Sequence, residues 1–126
     1  ILRCLVGSEM CIRDSPDITV NYPGLACSPW HDVADKVLAN GYGAILTIRV
    51  GSKERALSII NNLSIPKIVS NIGDTKTLII HPESTLNAHS TEKEKEDAGV
   101  FDNLIRISVG IEDIEDLIED FKAALA

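Results

Sequence analysis

Hydrophobic and polar residues follow two different periods along the chain. Segments in which they alternate, or in which β-branched residues cluster, predict strands, whereas apolar residues three and four apart predict helices. The predicted strands cover residues 18–22, 44–50, 67–70, 77–81 and 104–109. The predicted helices lie at 28–40, from Ser52 to about 63, from Thr91 to about 98, and from about 111 to 125.

Capping residues and apolar faces support the four helices. Ser28 with Pro29 and Ser52 are typical helix starts, Thr91 with Glu94 has capping-box spacing, and Gly99 is placed to end the third helix. The predicted apolar faces are Val33, Ala34, Val37 and Leu38 in the first helix, Ala56, Leu57, Ile60 and Leu63 in the second, and Ile111, Ile114, Leu117, Ile118, Phe121 and Leu125 in the last.

The predicted elements follow the order β-α-β-α-β-β-α-β-α. This order indicates an α+β fold in which a small, mostly antiparallel sheet carries helices on one face.

Composition narrows the possible partners. The net charge of −7 argues against nucleic-acid binding, and no apolar run approaches the roughly 18–20 residues that cross a membrane. The odd number of cysteines (Cys4, Cys11, Cys27) and their spacing match neither a disulfide framework nor a zinc site, and the three histidines are too scattered to suggest a metal, which favours a metal-free protein of the reducing cytoplasm.

Residues 1–15 are expected not to belong to the native protein. They lack an initiator Met, a periodic element and a signal-peptide pattern, and Leu5 to Ser15 resembles a translated sequencing-adapter tail. The native domain is therefore expected to cover residues 16–126.

Arg106 is the most informative polar residue. It lies in mid-strand, where it shares one face with Leu104 and Ser108 while Ile105 and Ile107 point to the other. A guanidinium in that position needs a partner, and its planar fork suits a carboxylate. An exposed arginine paired with a nearby acid is the alternative interpretation.

Four segments in order resemble the C-terminal domain of the Cys/Met-metabolism family of pyridoxal-phosphate enzymes. They are Asn21 to Leu25, Gly43 to Thr47, Asn71 to Pro82 and Leu104 to Asp113. The resemblance implies the C-terminal domain of fold-type I pyridoxal-phosphate enzymes, with Arg106 and Asn71 facing the α-carboxylate of an amino-acid substrate. It also implies that Ser70 tunes the choice of substrate.

Departures from the usual family pattern indicate a branch. The chain has Asn71-Ile72-Gly73-Asp74 where cystathionine enzymes usually carry Ser-Leu-Gly-Gly, and Leu86-Asn87 where they commonly carry Thr-His. This version looks more like O-acetylhomoserine sulfhydrylase, a transferase that performs γ-replacement in methionine and cysteine biosynthesis. A cystathionine γ-synthase or γ-lyase of the same family remains an alternative.

The family's lysine that forms the Schiff base lies upstream of the matching region. The chain is therefore expected to be an inactive fragment with no catalytic residue, no cofactor-binding residue and no metal site of its own, while the full-length enzyme would use pyridoxal 5'-phosphate and form a homotetramer. An alternative from another class is a regulatory amino-acid-binding module, because residues 43–109 also have the ferredoxin-like order β-α-β-β-α-β.

Overall fold

The computed structural model describes residues 17–126, and the nine elements in this part of the chain follow the predicted order. The predicted tail at residues 1–15 lies outside the described residues. The elements are β1 (Thr19–Asn21), α1 (His31–Val37), β2 (Ile45–Arg49), α2 (Lys53–Asn62), β3 (Lys67–Ile68), β4 (Leu78–Ile80), α3 (Glu92–Asp97), β5 (Leu104–Ser108) and α4 (Ile114–Leu125).

The five strands form one sheet in the order β1-β2-β5-β4-β3. Three of the four pairings are antiparallel, and only β3 and β4 run parallel. Strand β5 lies at the centre, between β2 and β4. The predicted α+β fold with a mostly antiparallel sheet is confirmed.

The hydrophobic core lies between one face of the sheet and helices α2 and α4. The buried sheet residues are Leu46, Ile48, Ile79, Ile105 and Ile107, and the helix residues packed with them are Ala56, Ile59, Ile60, Leu117, Phe121 and Ala124. Truncating a core Ile or Leu to Ala typically costs about 2–5 kcal/mol of stability. The same alternation that buries Ile105 and Ile107 turns Arg106 to the opposite face.

Local hydrogen bonds confirm the predicted starts of α2 and α3. The side chain of Ser52 accepts a hydrogen bond from the Arg55 N–H, and Thr91 and Glu94 form a complete capping box. Gly99 follows α3 with a φ of 66°, a conformation that glycine adopts without strain.

Helix boundaries and faces depart from the predictions at three places. Helix α1 begins at His31 instead of Ser28, because the Ser28 carbonyl accepts from the His31 N–H in a turn. In α2 Ile59 is buried, whereas Leu57 is 36% exposed, since the helix faces the sheet slightly off the predicted stripe. Ile111 precedes α4 and is 65% exposed.

The apolar face predicted for α1 is mostly uncovered in the described residues. Of its four members only Ala34 is buried, and the exposed ones are Val33, Val37 and Leu38. The pattern correctly predicted an apolar stripe but not what packs on it.

Candidate functional site

The candidate site lies on the sheet face opposite α2 and α4. Thr47 of β2 pairs with Arg106 of β5, and Arg49 pairs with Leu104, so these four side chains share this face. The segment from Pro82 to Phe101 borders the face and encloses a pocket of about 400 Å³. The pocket lining comprises Thr19, Asn21, Thr47, Arg49, Pro82, Leu86, Asn87, Ala98, Gly99, Val100, Phe101, Leu104 and Arg106.

Arg106 is held by two backbone carbonyls. Its Nη2 donates to the Ser70 oxygen at 2.9 Å and to the Asn71 oxygen at 3.3 Å. Within residues 17–126 its other guanidinium nitrogens have no hydrogen-bond partner, and no acid lies within ion-pair distance. The guanidinium is thus oriented along one side while donors remain for an anion, which disfavours the alternative of a simple surface ion pair.

Ser70 and Asn71 therefore contact Arg106 through their backbones and not through their side chains. Their backbone oxygens face the guanidinium, whereas the Asn71 side chain is exposed and has no hydrogen bond within the described chain. The resemblance implies only that Asn71 faces the carboxylate, because residue types do not show where backbone carbonyls point.

The loop that carries Ser70 and Asn71 is fastened to the end of β5. The buried Ser108 hydroxyl accepts a hydrogen bond from the Gly73 N–H at 3.1 Å. The Ile111 N–H donates to the Thr75 carbonyl at 2.9 Å. One strand thus supplies Arg106 and anchors the loop that orients it.

A second group of hydrogen bonds closes the far end of this loop. The Glu112 carboxylate accepts from the Thr77 N–H at 2.6 Å and from the Thr77 hydroxyl at 2.8 Å, and that hydroxyl accepts from the Gly110 N–H at 3.0 Å. Partial burial opposes ionisation of Glu112, but the hydrogen bonds from Thr77 outweigh it and hold its pKa below the ordinary value. The carboxylate is therefore a charged acceptor at neutral pH.

An ion-pair network holds the segment that borders the pocket. Glu83 contacts Lys53 of α2 at 2.7 Å and Lys95 of α3 at 2.8 Å. These hydrogen bonds lower the pKa of Glu83 to about 2 and, with Glu92, raise that of Lys95. The network ties α3 to α2 across the start of the segment.

His81 lies buried under the same segment. It is 3% exposed, and its ring nitrogens contact the Ser84 hydroxyl at 2.8 Å and the Asp102 carbonyl at 2.6 Å. The ring therefore joins the two ends of the segment. In the described part of the chain no cluster of His, Cys, Asp and Glu side chains could hold a metal, and no helix is long and apolar enough to cross a membrane.

Comparison with known proteins identifies the family. The sequence profile described as "Cys/Met metabolism PLP-dependent enzyme" (PLP is pyridoxal 5'-phosphate) matches residues 12–126. The chain belongs to this family. Its enzymes act on small amino-acid substrates with pyridoxal phosphate, so the resemblance is confirmed and the regulatory-module alternative is not supported.

The relatives of this chain include both synthases and lyases. The chain is 43% identical over 107 residues to a homocysteine synthase of Schizosaccharomyces pombe, matching 84% of this chain and 25% of that protein. It is 44% identical over 117 residues to O-acetyl-L-homoserine sulfhydrylase 1 of Thermus thermophilus, matching 91% and 28%. It is 39% identical over 107 residues to an L-methionine gamma-lyase of Fusobacterium nucleatum, matching 84% and 27%.

A solved structure shares the fold. A Campylobacter jejuni protein assigned as an O-acetylhomoserine (thiol)-lyase aligns with a TM-score of 0.91 and 33% identity, covering 98% of this chain and 30% of that chain. That crystal structure contains a pyridoxyl-lysine phosphate group. The chain thus spans between a quarter and a third of the length of these relatives.

The described residues do not fit covalent attachment of pyridoxal phosphate. Attachment needs a neutral lysine amine beside the ligand. Among residues 17–126 no lysine lines the pocket around Arg106, and Glu83 and Glu92 keep the buried Lys95 protonated. Residues 17–126 therefore provide a candidate anion site without a lysine positioned to hold the cofactor.

Proposed function

We propose that residues 16–126 form the substrate-carboxylate-binding C-terminal domain of an enzyme of the O-acetylhomoserine sulfhydrylase type. In the whole enzyme Arg106 binds the α-carboxylate of the amino-acid substrate, and Ser70 and Asn71 hold Arg106 in place. The observation that carries this proposal is the orientation of Arg106. Two backbone carbonyls fix its guanidinium, which faces the pocket with N–H donors that have no partner within the described residues.

In this proposal Arg106, supported by Ser70 and Asn71, positions the substrate and does not react with it. A bidentate pair between guanidinium and carboxylate fixes two atoms of the substrate and so restricts rotation about its α-carbon. The α-hydrogen then keeps one direction for removal by a base supplied elsewhere in the enzyme. Pyridoxal phosphate, when bound, supplies the electron sink that stabilises the resulting carbanion.

The reaction proposed for the whole enzyme is γ-replacement, in which sulfide or a thiol displaces the acyl group. The names of the homocysteine synthase and the sulfhydrylase support it, as does the Asn71-Ile72-Gly73-Asp74 segment. The methionine gamma-lyase among the relatives supports γ-elimination as the second candidate.

For the whole enzyme we also propose a homotetramer in a reducing cytoplasm without nucleic-acid partners. The exposed free thiol of Cys27 suits a reducing compartment, and the net charge of −7 disfavours nucleic-acid binding.

A chimeric enzyme tests the role of Arg106. Residues 17–126 would replace the matched segment of the Thermus thermophilus sulfhydrylase, and homocysteine formation from O-acetylhomoserine and sulfide would be measured. Arg106→Lys loses the planar fork, so we expect kcat/KM to fall roughly 10- to 100-fold, as for loss of a charge-assisted hydrogen bond of about 1.5–3 kcal/mol.

The matched control is Arg55→Lys, because Arg55 contacts the Leu125 carbonyl far from the pocket lining. If both variants keep wild-type kinetics, the proposal is wrong.

The reaction type is tested in the native enzyme that contains this chain. γ-Replacement predicts sulfide-dependent homocysteine formation, whereas rapid release of a 2-oxo acid and a thiol from methionine would favour the lyase.

A further inference from the structure

A second arginine shares the pocket with Arg106. Arg49 lies on the neighbouring strand β2, two residues beyond Thr47, which pairs with Arg106. Residues related in this way are diagonal neighbours on one face of an antiparallel pair, about 7–8 Å apart. Two guanidinium groups therefore face one cavity of about 400 Å³.

Arg49, like Arg106, is oriented by the protein while part of its guanidinium stays available. Its Nε donates to the Asn103 side-chain oxygen at 3.3 Å, and its guanidinium carbon lies 3.8 Å from the centre of the Phe101 ring. Asn103 is itself fixed, since its amide donates to the Val50 carbonyl. Within the described residues the two Nη atoms of Arg49 have no hydrogen-bond partner.

Charge is unevenly distributed around Phe101. Among the described residues, those that line the pocket with Arg49 and Arg106 include no acid. An adjacent cavity of about 370 Å³ shares Val100 and Phe101 with it, and its other lining residues are four acids and one cation, namely Glu83, Glu92, Glu96, Asp102 and Lys95. Neither pocket arginine forms an ion pair within residues 17–126, although the chain carries a net charge of −7. Two unneutralised cations in one cavity favour a ligand with two negative groups.

We propose that Arg49 forms a second carboxylate subsite, so that the pocket binds a ligand with one carboxylate at Arg106 and another at Arg49. The proposal rests on the carboxylate-binding role of Arg106 given above. Thr47 and Leu104 lie between the two arginines and would contact the chain that links the carboxylates. In the whole enzyme the second carboxylate would belong either to the acyl chain of the homoserine ester or to the thiol nucleophile, whose carboxylate joins the same molecule once its sulfur has replaced the acyl group at the γ-carbon.

Binding of simple carboxylates to the 126-residue chain tests the subsite. Succinate, glutarate and adipate would be compared with butyrate by NMR titration at low salt. We expect at least one dicarboxylate to bind about fivefold more tightly than butyrate, the size of a partly exposed ion pair, and added salt to reduce the difference. Arg49→Gln should make the affinities for the preferred dicarboxylate and for butyrate nearly equal. The control Arg55→Gln should keep the roughly fivefold difference between them.

The outcomes separate the two proposals. If no dicarboxylate is preferred, or if Arg49→Gln keeps the preference, the second subsite is wrong even when Arg106→Gln abolishes butyrate binding. If Arg106→Gln leaves butyrate binding intact, the carboxylate role of Arg106 is wrong instead.

The chimeric enzyme provides a readout that does not depend on folding of the isolated chain, and it distinguishes the two sources of the carboxylate. O-succinylhomoserine with sulfide tests the acyl chain, and O-acetylhomoserine with cysteine tests the nucleophile. Arg49→Gln should lower kcat/KM for one of these pairs about fivefold relative to O-acetylhomoserine with sulfide. An equal effect on all three pairs would contradict a second carboxylate subsite.

Discussion

The hydroxyl of Ser108 accepts a hydrogen bond from the backbone N–H of Gly73, and this contact connects the central strand to the loop that orients Arg106. Ser108 is 2% exposed and lies on the same sheet face as Arg106, two residues away. Because Ser70 and Asn71 belong to that loop, the position of their carbonyls depends on a strand residue that does not line the pocket.

Replacing Ser108 should therefore impair substrate binding more than stability. Ser108→Ala removes one hydrogen bond, which typically contributes about 0.5–1.5 kcal/mol. In the chimeric enzyme we expect KM for O-acetylhomoserine to rise roughly 3- to 10-fold while KM for sulfide stays unchanged. Ser58→Ala, on the exposed side of α2, is the matched control. Equal increases in both KM values would indicate a general structural role instead.

Because Glu83 is ion-paired with Lys53 and Lys95, we expect the free energy of unfolding to depend on pH. Its pKa in the folded chain is about 2, against an ordinary value of 4.5. A depressed pKa means that the contribution to folding is complete above about pH 4.5 and disappears as the pH falls towards 2. Urea unfolding should show Glu83→Gln less stable than wild type at pH 7, with the difference shrinking between pH 4.5 and 2.

Glu119→Gln serves as the control for that experiment, since Glu119 is exposed on α4. A stability difference between Glu83→Gln and wild type that stays constant from pH 7 to pH 2 would show that the ion pairs do not stabilise the segment around the pocket.

Gly110 should tolerate no side chain. A Cβ atom there would lie 2.5 Å from the Thr75 oxygen and from the Lys76 carbonyl carbon, both of which are backbone atoms. We expect Gly110→Ala to destabilise the chain by about 1–3 kcal/mol, as overpacking generally does. Gly51→Ala is the control, because its Cβ would meet only the Asp17 Cβ at 3.9 Å. Similar urea midpoints for the two variants would contradict the close approach of the loop to β5.

Much of the fold follows from local sequence signals. Alternation in 104–109 placed Arg106 opposite Ile105 and Ile107, and the Thr91–Glu94 spacing produced the capping box. Long-range packing was harder to predict from the sequence. Helix α1 has the predicted apolar stripe, but of its four residues only Ala34 is buried. No local pattern states which neighbour covers a helix.

The candidate site was predictable in part. Arg106 could be identified because a mid-strand cation is unusual, but the contacts that hold it use the backbone of Ser70 and Asn71, which residue types do not reveal. Arg49 was missed, although it alternates with the buried Leu46 and Ile48 in the same way that Arg106 alternates with Ile105 and Ile107. Pairing the two alternating segments as adjacent strands would have placed both arginines on one face.

The most direct test of the carboxylate role of Arg106 removes the charge from each partner in turn. In the chimeric enzyme, kcat/KM would be measured for O-acetylhomoserine and for its α-carboxamide, with wild-type Arg106 and with Arg106→Met. If Arg106 binds the α-carboxylate, the wild type should prefer the carboxylate by roughly 100-fold or more, and Arg106→Met should lose most of that preference. An undiminished preference in Arg106→Met would show that the α-carboxylate is bound elsewhere.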